Sequence, residues 1–314
     1  MSKIDETYDL SLEIIEKCHI ASRQFTGVEG IEETFVPRPR LGHEFREYFR
    51  PGLYLASKCS REGFAPNPVS LKEEEELFQF DCSARRQIRK EMNLFWDQKH
   101  ESLKEGIAHR TGIAIHGPPG SGKSMFLKQE IRRLVDEGRV VFLVDSPWYM
   151  KESINKFRSM EPDRDLVVVI EDIDEVTRKY GEQIFLETMG GLESANNIMF
   201  IATTNDLHEL SEKIRRRGRF DRKIELGLPD ANLRFKYLEH KIRGRESSNR
   251  IAKIAKLTEG FSFGDLRDLH RTVYVYKMPL RESLLGIKSE ITESNAASSK
   301  KRRKTLEEEE PECG

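Results

Sequence analysis

The sequence predicts an α/β protein with a three-layer core around a parallel β-sheet, followed by a small C-terminal all-α domain. Two observations support this fold class. Between residues 111 and 228, apolar strand-like runs alternate with polar stretches of helical pattern, as expected for a parallel sheet covered by helices on both faces. The runs are GIAIH, RVVFLV, LVVVIE, IMFIATT and RKIELGL. From residue 229 to about residue 288 such runs disappear and helical patterns replace them.

The segment before the alternating region is less regular. Residues 5–24 carry apolar residues at helical spacing, which predicts one amphipathic helix. Frequent Pro and Gly over 26–70 predict loops and short extended pieces. The run KEEEELFQF (72–80) predicts a short strand, and a helix is expected from a cap at Ser83 to about Lys104.

The C-terminal tail, ESNAASSKKRRKTLEEEEPECG, contains few apolar residues and is predicted to be disordered. Its basic cluster KKRRK is compatible with a nuclear address or an anion-binding patch, but its neighbours favour a solvated tail. The predicted parts of the chain are an N-terminal region of unassigned role (1–80), the α/β core (81–228), the helical domain (229–288) and the tail (289–314).

Composition favours a soluble protein with a highly charged surface. Charged residues make up 34% of the chain and apolar residues 37%, and the formal net charge is -1, so there is no global bias toward nucleic acid or anionic membranes. No apolar run approaches the roughly 18 residues that span a bilayer, and the acidic N-terminus resembles no secretory signal. The four cysteines form no C-x-x-C pair, which disfavours zinc or disulfides. We expect a cytoplasmic location.

The clearest motif is a glycine-rich stretch between the first predicted sheet strand and a helix. Gly117, four further residues, Gly122, Lys123 and Ser124 match the P-loop spacing. Glycines let successive backbone N–H groups face phosphate oxygens, and the following helix presents its positive N-terminus to them. Lys123 is expected to reach the β- and γ-phosphates of a nucleotide, with the Ser124 hydroxyl as a magnesium ligand. The predicted nucleotide-binding residues are Gly117, Pro118, Pro119, Gly120, Ser121, Gly122, Lys123, Ser124 and Met125.

Two acids follow a buried strand, in the run VVVIEDIDEV. A P-loop protein needs one acid near the magnesium ion and a neighbouring acid that orients or deprotonates the attacking water. Position assigns Glu171 to the metal and Asp172 to the water, although the longer Glu171 side chain leaves the reverse assignment open.

Farther along, a predicted strand ends in Asn205, whose amide is suited to hydrogen-bond a γ-phosphate and the attacking water. The basic run KIRRRGRFDRKIELGLPD then places Arg219 and Arg222 on either side of Phe220-Asp221. On its own this run also fits a solvated loop or a nucleic-acid patch.

Together and in this order, GPPGSGKS, IEDID, IATTN and RRRGRFDRKIELGLPD resemble the AAA family of P-loop ATPases, and TEGFSFGDLRDL resembles that family's lid. The resemblance covers about residues 81–280. It implies ATP as substrate with Mg²⁺, Asn205 as the residue called sensor 1, and Arg219 and Arg222 as arginine fingers that act on ATP held by a neighbouring subunit. It therefore implies a homo-oligomeric ring, usually of six subunits.

The order of the two acids resembles one branch of the family. Most members place aspartate first, whereas Glu171 precedes Asp172 here, as in the branch of the mitochondrial Rieske-protein translocase and its bacterial relatives. The stretch leading into the P-loop is similar to that branch as well. We therefore expect the exchanged order of the two acids to be compatible with ATP hydrolysis. The lid carries Gly264-Asp265 where the family often has Ala-Asp, and we attach no consequence to this departure.

The substrate is less well indicated. Family members that thread a polypeptide place an aromatic residue and then glycine in a pore loop, but the corresponding segment here, PWYMKESINKFRSMEPDRD, lacks glycine. Trp148 and Tyr149 either contact a substrate in the pore or pack against the core. The preferred function is a ring-forming ATPase that remodels an unidentified protein substrate. An ATP-dependent nucleic-acid factor and a nucleotide-binding scaffold with little turnover are the alternatives.

Overall fold

A computed structural model of the protein describes residues 49–56, 67–69, 78, 80–192 and 195–293. The predicted helix over 5–24, most of the predicted strand over 72–80 and the tail beyond residue 293 lie outside this description. No helix in the described part of the chain has the length and apolar character needed to cross a bilayer.

The described sheet has seven strands in the order β2-β1-β4-β5-β6-β3-β7. The strands are β1 (Gly52–Leu55), β2 (Asn67–Pro68), β3 (Arg110–His116), β4 (Val140–Leu143), β5 (Leu166–Ile170), β6 (Ile198–Thr204) and β7 (Arg222–Glu225). Every pairing is parallel except that of β2 with β1. The predicted α/β fold with a parallel sheet is confirmed, and all five predicted strands are present.

Helices pack on both faces of the sheet, and further helices follow its last strand in the chain. They are α1 (Ser83–Asp97), α2 (Lys99–Lys104), α3 (Lys123–Asp136), α4 (Pro147–Met160), α5 (Ile173–Tyr180), α6 (Glu182–Gly190), α7 (Glu212–Arg215), α8 (Ala231–Ile242), α9 (Ser248–Leu257) and α10 (Phe263–His270). A 3-10 turn covers Leu207–Glu209. The helix predicted from a cap at Ser83 does begin there, but Cys82 occupies the N-cap and no side chain caps it.

Strand β5 shows why the sheet is buried on both faces. All five of its residues are buried. Val167 and Val169 belong to the apolar cluster that contains α1, α3 and the C-terminal helices. Val168 and Ile170 belong to the opposite cluster, with α4 and α6. Because side chains alternate between the faces of a strand, an uninterrupted apolar run is the pattern of a strand covered on both sides.

Strands β1 and β2 add an edge to the sheet from the segment that precedes residue 81. Strand β1 pairs with β4 in parallel, from Gly52 beside Val140 to Leu55 beside Leu143. Just before β1, the Phe49 N–H group donates to Oε1 of the buried Glu161, 2.6 Å away. The sheet therefore extends into the segment that the sequence left without an assignment.

The C-terminal helices form a small all-α unit that packs on one end of the core. Asp230 caps α8 by accepting a hydrogen bond from the Leu233 N–H at 2.8 Å. Ser262 and Asp265 form a reciprocal capping box at the start of α10. A final helical segment over 280–293 extends five residues past the predicted limit of 288.

Candidate functional site

The predicted site residues other than Arg219 and Arg222 converge at one edge of the sheet. Strands β3, β5 and β6 are parallel, with His116 beside Thr204 and Ile170 beside Ala202. The segments that follow these three strands are the P-loop, the acid pair and the turn with Asn205. The carboxyl edge of a parallel sheet is where α/β proteins bind their ligands, because loops from neighbouring strands meet there.

Glycine is required at two points of the P-loop. A Cβ at Gly117 would lie 2.1 Å from the Leu226 carbonyl oxygen, so no larger residue fits between the loop and the chain after β7. Gly122, with a φ of 97°, occupies the N-cap of α3, which runs for 14 residues from Lys123. A left-handed cap favours glycine, and it directs the free N–H groups of the first helical turn toward the loop.

Lys123 connects the P-loop to the turn after β6. Its Nζ donates to the Gly117 carbonyl at 2.7 Å, the Pro118 carbonyl at 3.2 Å and Asn205 Oδ1 at 2.8 Å. Burial lowers the pKa of Lys123, and the nearby Asp172 and Asp174 carboxylates oppose that shift. The ammonium therefore lies among oxygen atoms at the edge where phosphate is predicted to bind, and Asn205 is close enough to act on the same group.

The remaining P-loop residues support this arrangement in different ways. The Ser121 N–H closes a turn on the Pro118 carbonyl at 3.2 Å, and its side chain is buried. Met125 packs against the core beneath the loop. Pro119 and Ser124 are exposed, so the outer rim of the loop and the predicted magnesium-ligand hydroxyl both face solvent.

Glu171 and Ser124 are in direct contact. Burial raises the pKa of the Glu171 carboxyl, and repulsion from Asp172 raises it further, whereas a hydrogen bond from the Ser124 side chain and the charge of Lys128 oppose the increase. A hydroxyl and a carboxylate held together at the P-loop are hard oxygen ligands of the kind that Mg²⁺ prefers. The two residues predicted as metal ligands thus fit a magnesium ion.

Asp172 adopts a conformation that is uncommon for a residue with a side chain. It lies in the left-handed region, at φ 46° and ψ 56°, at the N-cap of α5. Its N–H group donates to Oγ1 of the buried Thr203 at 3.0 Å. Local strain of this kind is concentrated at functional sites, where the surrounding structure fixes it. Strand β6 thereby holds the second acid at the edge of the site.

Asp174 was not among the predicted site residues. Its side chain is only 6% exposed, and Oδ1 has no hydrogen-bond partner in the described chain. Oδ2 lies 3.8 Å from Nη2 of Arg178, whose Nη2 also lies 3.3 Å from Glu209. The sequence EDID could have indicated Asp174. This third acid lies two residues after Asp172, on the first turn of α5.

The lid contacts the P-loop directly, which the sequence did not indicate. The Phe263 N–H at the start of α10 donates to the Gly120 carbonyl at 2.9 Å. A Cβ at Gly120 would lie 2.5 Å from Ser262 Oγ. Phe263 also packs on the ring of Phe80, with centroids 4.9 Å apart, next to Gly122. Movement of the lid and of the phosphate cradle is therefore mechanically linked.

Arg219 and Arg222 lie away from the P-loop of their own chain. A Cβ at Gly112 would lie 1.8 Å from the Arg219 carbonyl oxygen, and Arg222 is the register partner of Ile113. Gly112 precedes His116 by four residues along β3, which is roughly 13 Å of strand. Arg219 Nη1 donates to the Lys213 carbonyl at 2.6 Å, and Arg222 Nε pairs with Glu91 at 2.7 Å.

The two aromatic residues at the start of α4 differ in their surroundings. Trp148 is 59% exposed, whereas Tyr149 is partly buried and packs against the core cluster on that face. Trp148 is therefore the more accessible of the two for contact with another molecule.

The parallel sheet, the glycine cradle and the convergent Lys123, Ser124, Glu171 and Asn205 define a P-loop nucleotide-binding domain. A family model agrees: residues 113–228 match AAA, the ATPase family associated with various cellular activities. Residues 113–228 are thus similar to the ATPase domain of the AAA family.

The chain is also similar to parts of several curated proteins. The chain is 29% identical over 192 residues to the ATPase family gene 2 protein of Saccharomyces cerevisiae, covering 53% of this chain and 24% of that protein. It is 30% identical over 196 residues to Protein CdcH of Halobacterium salinarum, covering 55% and 26%. It is 30% identical over 195 residues to the cell division cycle protein 48 homolog of Archaeoglobus fulgidus, covering 54% and 26%. The chain thus spans about a quarter of the length of these relatives.

Proposed function

We propose that the protein hydrolyses ATP as a ring of identical subunits and uses the resulting conformational change to remodel a protein substrate. The observation that carries the hydrolase part is the convergence of a lysine, a hydroxyl–carboxylate pair and an amide at one sheet edge, with Lys123 Nζ 2.8 Å from Asn205 Oδ1. Charged and polar groups arranged in this way can hold a triphosphate and stabilise the charge that develops on its terminal phosphate.

Each residue has a distinct role in this mechanism. Lys123 exchanges its carbonyl partners for phosphate oxygens, and the α3 N-terminus supports the same anion. Ser124 and Glu171 hold Mg²⁺, which when bound neutralises phosphate charge and orients the triphosphate. Asp172 accepts a proton from, or orients, the attacking water, and Asn205 hydrogen-bonds both that water and the γ-phosphate.

The position of the arginines supports the proposed ring. Arginine suits the stabilisation of a leaving phosphate because its charge is permanent and its planar fork binds oxygen pairs. Arg219 and Arg222 lie beside Gly112 and Ile113 of β3. Gly112 is roughly 13 Å of strand from His116, after which the P-loop begins, so the two arginines reach a nucleotide most directly in a second copy. To do so, Arg222 would leave Glu91 and Arg219 would leave the Lys213 carbonyl.

Remodelling follows from the contact between lid and P-loop. A change in the phosphates bound at Gly120 passes to the start of α10 through the Phe263 hydrogen bond, and the lid then turns relative to the core. In a ring this motion repositions neighbouring subunits and the exposed Trp148. The order of Glu171 and Asp172 supports the narrower resemblance to the Rieske-translocase branch. A cytoplasmic location is also part of the proposal.

Nucleotide binding and hydrolysis should be measured separately for the wild type, Lys123→Ala, Glu171→Gln and Asp172→Asn. Binding should be lost in Lys123→Ala, whereas hydrolysis should be lost in Asp172→Asn with binding retained. Asp230→Asn is the matched control, because Asp230 caps a lid helix outside the site. Wild-type protein that binds ATP but shows no turnover at any concentration would favour the scaffold alternative. Salt-sensitive binding to nucleic acid that stimulates turnover would favour a nucleic-acid factor.

A further inference from the structure

The side chain of Asp221 joins the loop that carries the two arginines to strand β3 through both of its carboxylate oxygens. Oδ1 of Asp221 accepts a hydrogen bond from the Gly218 N–H at 2.8 Å. Oδ2 accepts from the Gly112 N–H at 3.3 Å and from the Thr111 hydroxyl at 3.4 Å. A single carboxylate therefore joins the turn before Arg219 to the start of strand β3.

Asp221 acts together with other contacts of the same loop. Gly218, at φ 86°, makes a tight turn, and its carbonyl accepts from Arg110 Nη2 at 2.8 Å. Gly112 has no side chain because the Arg219 carbonyl occupies that space. The loop thus packs closely against β3, and the Asp221 carboxylate fixes its position along the strand.

We infer that Asp221 is a positioning residue for catalysis in the neighbouring subunit. It holds Arg219 and Arg222 at the position along β3 from which they contact that subunit's nucleotide. This inference rests on the ring proposed above. Because Asp221 bonds to the start of β3 and to the turn at Gly218, and not to the P-loop, its loss should impair the neighbour's site and leave the subunit's own site intact.

Asp221→Asn is the appropriate substitution because it preserves size. The amide offers one oxygen in place of two, so in either orientation an NH₂ group faces a backbone N–H and one anchor is lost. We expect turnover to fall roughly tenfold or more, with nucleotide affinity unchanged, because the arginines act only on the transition state in the neighbouring site. Gly112→Ala, which displaces the loop from the strand side, should have the same effect. Asp230→Asn, a change of the same kind at a lid cap, should not.

Mixed rings test whether the effect acts in trans. Asp221→Asn subunits retain an intact site, whereas Asp172→Asn subunits retain an intact arginine loop. In an equimolar mixture of the two, about half of the intact sites gain a neighbour with a correctly placed loop, so turnover per intact site should rise to about half the wild-type value. A loss that stems from misfolding would not be recovered by mixing.

A parallel mixture of Arg219→Ala with Asp172→Asn separates the two levels of the proposal. If that mixture recovers turnover and the Asp221→Asn mixture does not, the positioning role is refuted and the ring with trans arginines stands. If neither mixture recovers, the proposed ring mechanism fails. Wild-type turnover in Asp221→Asn alone would also overturn the inference.

Discussion

The contact between the P-loop and the lid can be isolated by comparing two glycines. Gly120 and Gly138 both have left-handed backbone, with φ of 73° and 87°, so alanine is strained at either position. That strain costs about 1–2 kcal/mol. At Gly138 an added Cβ meets nothing within 4 Å. At Gly120 it would lie 2.5 Å from Ser262 Oγ and 2.9 Å from Ser262 Cβ.

The clash at Gly120 should therefore add to the cost of strain. Overpacking of a fitted contact costs about 1–3 kcal/mol, so Gly120→Ala should lose roughly 2–5 kcal/mol in total, against about 1–2 kcal/mol for Gly138→Ala. For a domain of this size each kcal/mol corresponds to about 2–4 °C in melting temperature. Only Gly120→Ala should also weaken stabilisation by Mg-ATP, because the clash separates lid from cradle.

The assay is thermal unfolding of wild type, Gly120→Ala and Gly138→Ala, each with and without Mg-ATP. Equal losses in the two variants, together with equal stabilisation by nucleotide, would show that the lid does not rest on Gly120. The reasoning about coupling between phosphate and lid would then be wrong.

Three further results are expected. Glu171→Gln should raise the Mg²⁺ concentration needed for nucleotide binding, whereas Asp172→Asn should abolish turnover at unchanged affinity, because asparagine tolerates the left-handed backbone there; the opposite pattern in magnesium titrations would exchange the two roles. Burial lowers the pKa of His116, so the folded protein resists its protonation and stability should fall as pH drops from above 6.5. In melting curves from pH 7.5 to 5.5, His116→Gln should show a weaker fall than the wild type, and an equal fall would contradict this. Trp148→Ala should change the free energy of unfolding by no more than about 0.5 kcal/mol, and Tyr149→Ala by about 1 kcal/mol or more; equal losses in denaturant titrations would count against the exposed role of Trp148.

Features set by local pattern could be predicted from the sequence. The five core strands are recognisable because runs such as LVVVI are apolar on both faces, and the P-loop because its glycines have a fixed spacing. The position of Glu171 at the end of a buried strand placed it near the P-loop, since parallel strands bring their carboxyl ends together.

Features set by distant pairing could not be predicted. The four residues of β1 are a strand only because β4 lies beside them, and nothing in GLYL marks them apart from the surrounding loops. Phe78 and Phe80 were expected in a strand, but neither is in one; they pack against the lid instead. The role of Asp221 depends on Gly112, 109 residues earlier in the chain. Such contacts leave no periodicity in the sequence.

The central claim is that ATP is hydrolysed between subunits, and the most direct test is the rate of hydrolysis per subunit as a function of protein concentration. The account predicts a rate that rises with concentration to a plateau for the wild type, and a low rate at every concentration for Arg219→Ala despite normal nucleotide binding. A wild-type rate per subunit that is independent of concentration while sedimentation shows a monomer, or full activity in Arg219→Ala, would contradict it.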